Sequence, residues 1–126
     1  MFKRTFVVGL ILLGLAGCAT STRYVSYTYE NFPAKSDVTN IDVYPPSQAL
    51  GTSHPYYVIG KVSVEGFASN GVTPGSLTHQ AQQIARRKGA DAIINAQTQA
   101  MRYIYSGDSL LRFTGELIVY TPTAKT

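Results

Sequence analysis

Between Thr73 and Gly89 the apolar residues recur at helical spacing, and both ends of the stretch are marked. Thr73 supplies a hydroxyl for the N-cap, and Pro74 sits in the first turn, where its missing N–H costs nothing. Leu77, Ala81, Ile84, Ala85 and the stem of Lys88 make a single apolar stripe. Arg86, Arg87 and Lys88 put cations at the negative helix end, and Gly89 is placed for a left-handed stop. One such helix has one stripe to bury, and the segments flanking it have strand length. The expected class is therefore α+β: a small mixed β-sheet with one covering helix, in the order strand, strand, helix, strand, strand.

The strands follow from alternation. Ile41 to Tyr44 alternates and stops at Pro45-Pro46, which has no amide hydrogens to continue a ladder. Ser47 to Pro55, with Gly51 and His54, reads as a loop. Tyr56, Val58, Gly60, Val62 and Val64 are expected on one face of the next strand, with Lys61, Ser63 and Glu65 on the other. Gly66 to Gly75 reads as a polar turn region whose composition suits the lining of a site. After the helix only a tight turn fits before Ala90 to Ile94, so strand, helix and strand form a compact crossover, right-handed if the strands are parallel. That strand is read onward through Met101 to Tyr105. Ser106 to Ser109 then turns the chain, and Leu111, Phe113, Leu117 and Val119 alternate with Arg112, Thr114 and Glu116 as the second arm of a hairpin. The domain is expected over 41–121, with 122–126 as a tail.

The N-terminus carries an address. Met1-Phe2-Lys3-Arg4 is a short positive region, Thr5 to Ala16 is apolar, and small Gly17 follows, the order of an export signal over 1–17. The run is short of the roughly 20 apolar residues that span hydrocarbon. Leu15-Ala16-Gly17-Cys18 resembles the lipobox of bacterial lipoproteins at all four positions. The resemblance implies cleavage between Gly17 and Cys18, a diacylglyceryl group on the Cys18 sulfur and acylation of the new amine. Each buried methylene contributes about 0.8 kcal/mol and one chain anchors only marginally, whereas two or three hold. Ala19, where the family's inner-membrane retention signal is Asp, implies sorting to the outer membrane, on its periplasmic face.

From Cys18 to Asn40 the chain is expected to be a lipidated N-terminus and polar tether. About 20 flexible residues reach roughly 25 Å. Tyr24, Tyr27 and Tyr29, with Val25 among them, favour strand and are expected to dock on the domain edge, the alternative being contact with sugars or headgroups.

Composition sets limits on activity. The 126 residues, 44% apolar and 14% charged, suit one folded domain. Of eleven Lys/Arg, Lys3 and Arg4 leave with the signal, so nine face seven Asp/Glu. With Arg86-Arg87-Lys88 the one basic cluster, no nucleic-acid partner is expected. Cys18 is the sole cysteine, which excludes an internal disulfide and, once acylated, thiol chemistry.

Tyr57-Val58-Ile59-Gly60-Lys61-Val62, then a helix, then Lys88-Gly89-Ala90-Asp91-Ala92-Ile93-Ile94, resembles a group of small bacterial lipoproteins that includes the Rcs envelope-stress sensor and the YbjQ-type domain. The resemblance covers about residues 41 to 120. It implies a small α+β domain and, for the sensor, envelope signalling through protein partners. The sensor's fold is locked by disulfides, and beyond Cys18 no cysteine exists here to make one. Metal binding in the YbjQ type finds no matching ligand cluster in this chain.

Chemistry-bearing residues are few. His54 lies in Ser-His-Pro and His79 in Thr-His-Gln, neither with ligands at metal spacing. No Gly-x-Ser-x-Gly elbow is present. Asp91, beside the tight turn, is expected to bond backbone amides. Asn95, Gln97 and Gln99 line one strand face, as a solvated surface or a polar binding surface. No catalytic residue, cofactor or metal is expected. The partners implied are the membrane, through lipid on Cys18, and an envelope protein met by a sheet edge or the tyrosine-rich segment. A small-ligand or cell-wall-binding protein is the alternative.

Overall fold

The computed structural model describes residues 20–46 and 55–121. The signal segment, Gly17, Cys18, His54 and the 122–126 tail lie outside them. The strands are β1 (Ser21–Ser26), β2 (Asp42–Val43), β3 (Tyr56–Phe67), β4 (Ala92–Arg102) and β5 (Ser109–Tyr120), and the helix α1 (Pro74–Lys88) lies between β3 and β4. They form one mixed sheet in the order β1-β3-β5-β4-β2. Among the described residues only β2 and β4 pair parallel, and the other three pairings are antiparallel. Because β5 is antiparallel to both β3 and β4, those two strands run the same way with β5 between them. The fold is thus a small α+β domain.

The helix is built as its sequence demands. The Thr73 hydroxyl accepts the Ser76 N–H at 3.1 Å and the Ser76 hydroxyl accepts the Thr73 N–H at 3.0 Å, closing a reciprocal cap. Leu77, Ala81 and Ala85 are buried against the sheet. Gly89 ends the helix at φ 78°, its N–H reaching the Ala85 and Arg86 carbonyls. Beneath the helix lie Ile59, Val62 and Val64 of β3, Phe113 and Leu117 of β5 and Ile93 of β4, with Ile41, Val72 and Ala90 at the margins.

Two bulges change the phase of the strands. Opposite the step from Leu117 to Ile118 of β5, β3 carries three residues, Val58 to Gly60. Ile59 therefore joins Val62 and Val64 under the helix, and Val58 moves to the opposite face beside Ala92 and Ile118. This corrects the single face expected for Tyr56 to Val64. In β4, Asn95 and Ala96 stand opposite Gly115 alone. Asn95 takes the left-handed conformation at φ 53°, one its short amide side chain tolerates. Ile93 and Ala96 thereby both face the core, which an unbroken strand could not achieve.

The segment expected as tether is shorter than its composition suggests. β1 forms an antiparallel ladder with β3, Ser21 opposite Glu65 through Ser26 opposite Gly60, so the domain begins at about Ser21 and not at residue 41. Tyr24 packs against the core, so docking of the tyrosine segment holds for this residue, whereas Tyr27 and Tyr29 are exposed. Residues 31–41 then run along α1 as an irregular strap. The Lys35 N–H bonds the Arg86 carbonyl at 2.7 Å, Arg86 Nε bonds the Thr39 carbonyl at 2.7 Å, and Gln82 Nε2 bonds the Ile41 carbonyl at 2.9 Å. Backbone groups with no sheet partner are satisfied by the helix, which a polar composition conceals.

Candidate functional site

The face of the sheet away from α1 is open and polar over most of its width. β1 contributes Arg23 and Val25, β3 contributes Lys61, Ser63 and Glu65, and β5 contributes Arg112 and Thr114 to a shallow trough of about 450 Å³. Glu65 and Arg112 are cross-strand partners, and Arg112 Nε lies 2.8 Å from Glu65 Oε2. Both side chains are about one-third exposed, so the pair contributes at most about 1 kcal/mol. Its effect is geometric: it fixes a guanidinium across the floor of the trough.

A second hollow of about 180 Å³ adjoins it, lined by Tyr27, Lys61, Asn95, Gln97 and Glu116. Asn95 Nδ2 donates to Glu116 Oε1 at 2.6 Å, so the bulge aims an amide at a carboxylate. Gln97 pairs with Thr114 and Gln99 with Arg112, which puts all three amide residues on this one face. The polar surface expected of Asn95, Gln97 and Gln99 thus exists and continues into the trough. With Arg23, Lys61 and Arg112 set against Glu65 and Glu116, it carries no field of one sign.

Other polar residues hold the fold. Asp91 Oδ1 accepts from Lys35 Nζ at 2.8 Å, and Oδ2 accepts from the Tyr120 N–H at 2.8 Å, tying the strap to the end of β5. This is the backbone-bonding role expected of Asp91. Burial, with the nearby Tyr44 hydroxyl and the Asp42 and Asp91 charges, pushes the Tyr120 hydroxyl above the ordinary tyrosine range. Partial burial likewise raises the Tyr24 hydroxyl, although Ser26 pulls the other way. Lys88 Nζ stands 4.9 Å from the centre of the Tyr24 ring, a cation–π contact at the rim. His79 lies on the exposed helix face, Nε2 3.4 Å from Gln83 Nε2. Among the described residues no group of three His, Cys, Asp or Glu is placed to hold a metal.

The turn between β4 and β5 departs from its sequence reading. β4 stops at Arg102, and Tyr103 leaves the ladder because its N–H bonds the Asp108 carbonyl while its own carbonyl accepts the Gly107 N–H, both at 2.8 Å. Met101, Tyr103, Ile104 and Tyr105 are exposed, Ile104 at 92% and Tyr105 at 104%. The Tyr103 ring packs on Phe67, centres 5.5 Å apart, and Asp108 fastens the tip to a 3-10 turn at Ala68–Asn70. The Asp108 carboxylate accepts the Ser69 hydroxyl, the Ser69 N–H at 3.2 Å and the Ser109 N–H at 2.8 Å. The missed signal was the unbroken run Tyr103-Ile104-Tyr105 directly before Ser-Gly-Asp: three consecutive large residues at a turn have nowhere to alternate.

Those hydrogen bonds, the Ser69 hydroxyl first, hold the Asp108 carboxyl below the ordinary aspartate range. A lowered folded value means that the latch is fully present above the ordinary value near pH 4 and fades as pH falls through the folded one. Protection of the Ser69 and Ser109 amides, taken relative to the intrinsic exchange rate at each pH, should therefore fall in acid below about pH 4, and in Asp108→Ala it should be low already at neutral pH. Unchanged protection in the variant would show that the carboxylate does not hold the turn.

No protein-family model matches this chain, and no curated protein matches it. Its fold is similar to that in the crystal structure of FvfA, a Francisella virulence factor, with a TM-score of 0.53 at 15% identity, covering 76% of this chain and 96% of that one.

Proposed function

We propose that this chain is an outer-membrane lipoprotein, held on the periplasmic face by acyl groups on Cys18, whose domain is a non-enzymatic binding module for envelope assembly or stress signalling. The observation that carries the binding role is the free edge of β1. Among the described residues this six-residue strand has no neighbour on its outer side, and it flanks the trough. An extended segment of a partner adding there gains main-chain bonds from the edge, and Arg23 and Val25 supply selectivity. The trough supports a second reading, a small polar ligand or a cell-wall fragment. In that case soluble muropeptides should raise the melting temperature by mass action.

The edge can be blocked without undoing the fold. Tyr27 donates its N–H to the Ile59 carbonyl at 2.9 Å, and the alternation of an antiparallel ladder then turns the amides of Thr22, Tyr24 and Ser26 outward. Thr22→Pro removes an outward amide and leaves the bonds to β3 in place. A photo-crosslinker at Val25 in the full-length lipoprotein should capture one abundant envelope protein, and Thr22→Pro should lower that capture about tenfold or more with little change in melting temperature. Absence of any stoichiometric protein adduct, or capture indifferent to Thr22→Pro, would rule out edge pairing.

A further inference from the structure

We propose that the β4–β5 hairpin tip, Tyr103-Ile104-Tyr105, dips into the lipid interface beside Cys18 and sets the domain on the membrane with that end of its sheet down. The inference rests on the acylation of Cys18 proposed above. It is carried by where the chain enters the sheet. Ser21 pairs with Glu65, Glu65 with Arg112, and Arg112 with Gln99, so the first residue of β1 lies level with Gln99, three residues from the Arg102 end of β4 and in the half of the sheet that carries the hairpin tip. β1 runs away from that end.

Cys18 stands three residues before Ser21. At no more than about 3.6 Å per residue, its anchor lies within roughly 11 Å of the start of β1. β1 and β4 are three strand spacings apart, or about 14 Å. The leash is therefore too short to let the domain tumble away, and the end it holds toward the bilayer is the end bearing the tip.

The tip has the chemistry of that boundary. Tyrosine rings are amphipathic and collect at the headgroup level, and Ile104 between them is apolar and almost wholly exposed. Arg102 at the foot of the tip offers a cation to anionic headgroups. Asp108, the carboxylate in the turn, is directed to Ser69 and to backbone amides. The Asp108 latch and the Phe67–Tyr103 contact hold the tip in a fixed form, so little ordering is needed on insertion. Single exposed apolar residues such as Tyr29 or Val38 are ordinary on a protein surface. Three in succession beside a lipid attachment point are a second anchoring element, and anchoring by two signals is what makes membrane attachment stable.

The chain contains no tryptophan, so introduced ones report alone. Tyr105→Trp lies at the tip, and Tyr29→Trp lies past the other end of β1 at a comparable 106% exposure. Full-length protein carrying either change is reconstituted into vesicles of phosphatidylethanolamine and phosphatidylglycerol, with and without brominated acyl chains. Its mass and its flotation with the vesicles are recorded in parallel. The expected result is a blue shift and loss of emission in brominated lipid for Trp at 105, and neither for Trp at 29. Acylated, floating protein with an unquenched Trp at 105 overturns the insertion and leaves the anchor standing. Protein without the acyl mass, which does not float, overturns the anchor and the insertion together. A blue shift that grows with protein concentration and ignores bromine assigns the tip to a second copy of this chain and overturns the proposal.

Discussion

Gly89→Ala is expected to destabilise the domain by about 3 kcal/mol, a drop of roughly 15 °C in melting temperature for a domain of this size. Two costs combine at this position. The backbone sits at φ 78°, where an L side chain costs roughly 1–2 kcal/mol. A Cβ there would also stand 2.6 Å from both Phe32 Cβ and the Pro33 carbonyl oxygen, and overpacking of that kind costs about 1–3 kcal/mol. Backbone atoms of the strap cannot rotate aside as a side-chain tip would. Gly71 separates the two costs, since it has φ 84° but nothing within 4 Å of an added Cβ. Gly71→Ala should therefore lose only about 1–2 kcal/mol. Equal losses in the two variants, measured by denaturant midpoints at constant m, would show that the strap does not press on the helix end.

Phe113→Ala should cost about 3–5 kcal/mol, the range for deleting a buried ring where the surroundings collapse incompletely. Phe113 is the aromatic side chain of the buried core, 2% exposed, with Val64 opposite it on β3 and Thr98 opposite on β4. It sits at the middle of the central strand, so neither neighbouring strand can move inward without breaking its ladder. Phe67, also next to β5 but at the partly exposed hairpin end, provides the comparison. Phe67→Ala should cost clearly less and should act mainly by loosening Tyr103. Against a total stability of about 5–15 kcal/mol, that is a large fraction of what holds the domain together, read as a lowered denaturant midpoint at constant m. A loss below about 1.5 kcal/mol would mean that the cavity is refilled, which the flanking strands should prevent.

The helix was legible because its signals are local: a Thr73 cap, Pro74, a stripe ending in cations and Gly89 are each read within one turn of where they act. The alternation of Leu111, Phe113 and Leu117 made β5 legible for the same reason, since an unbroken strand keeps its period. Ile59 and Asn95 mark where that reasoning stops. A bulge is defined by the partner strand, and nothing adjacent in sequence announces which residue will be unmatched. β1 was hidden by its composition. In Ser-Thr-Arg-Tyr-Val-Ser the helix-side face is Thr22, Tyr24 and Ser26, of which Tyr24 alone packs against the core, so the strand has the polarity of a linker while its backbone belongs to a sheet. On the candidate binding face, the amides of β4 were visible as a row, but their continuation through Thr114 to Arg23 depends on two long-range pairings in succession, Thr114 with Ser63 and Ser63 with Arg23. The hairpin tip was obscured because Tyr103 and Tyr105 have side chains that suit a strand, whereas Tyr103 closes the turn through Asp108 and Gly107 and Tyr105 lies within it.

Of the five described strands, the one synthesised last is the one in the middle of the sheet. β3 and β4 share no border until Ser109–Tyr120 is laid between them. A polypeptide emerging N-terminus first would therefore present an incomplete array with exposed ladders until Ser109–Tyr120 is free, and the sheet would close in a single step at that point. A truncation ahead of Ser109 removes the common border on which both halves of the protein depend.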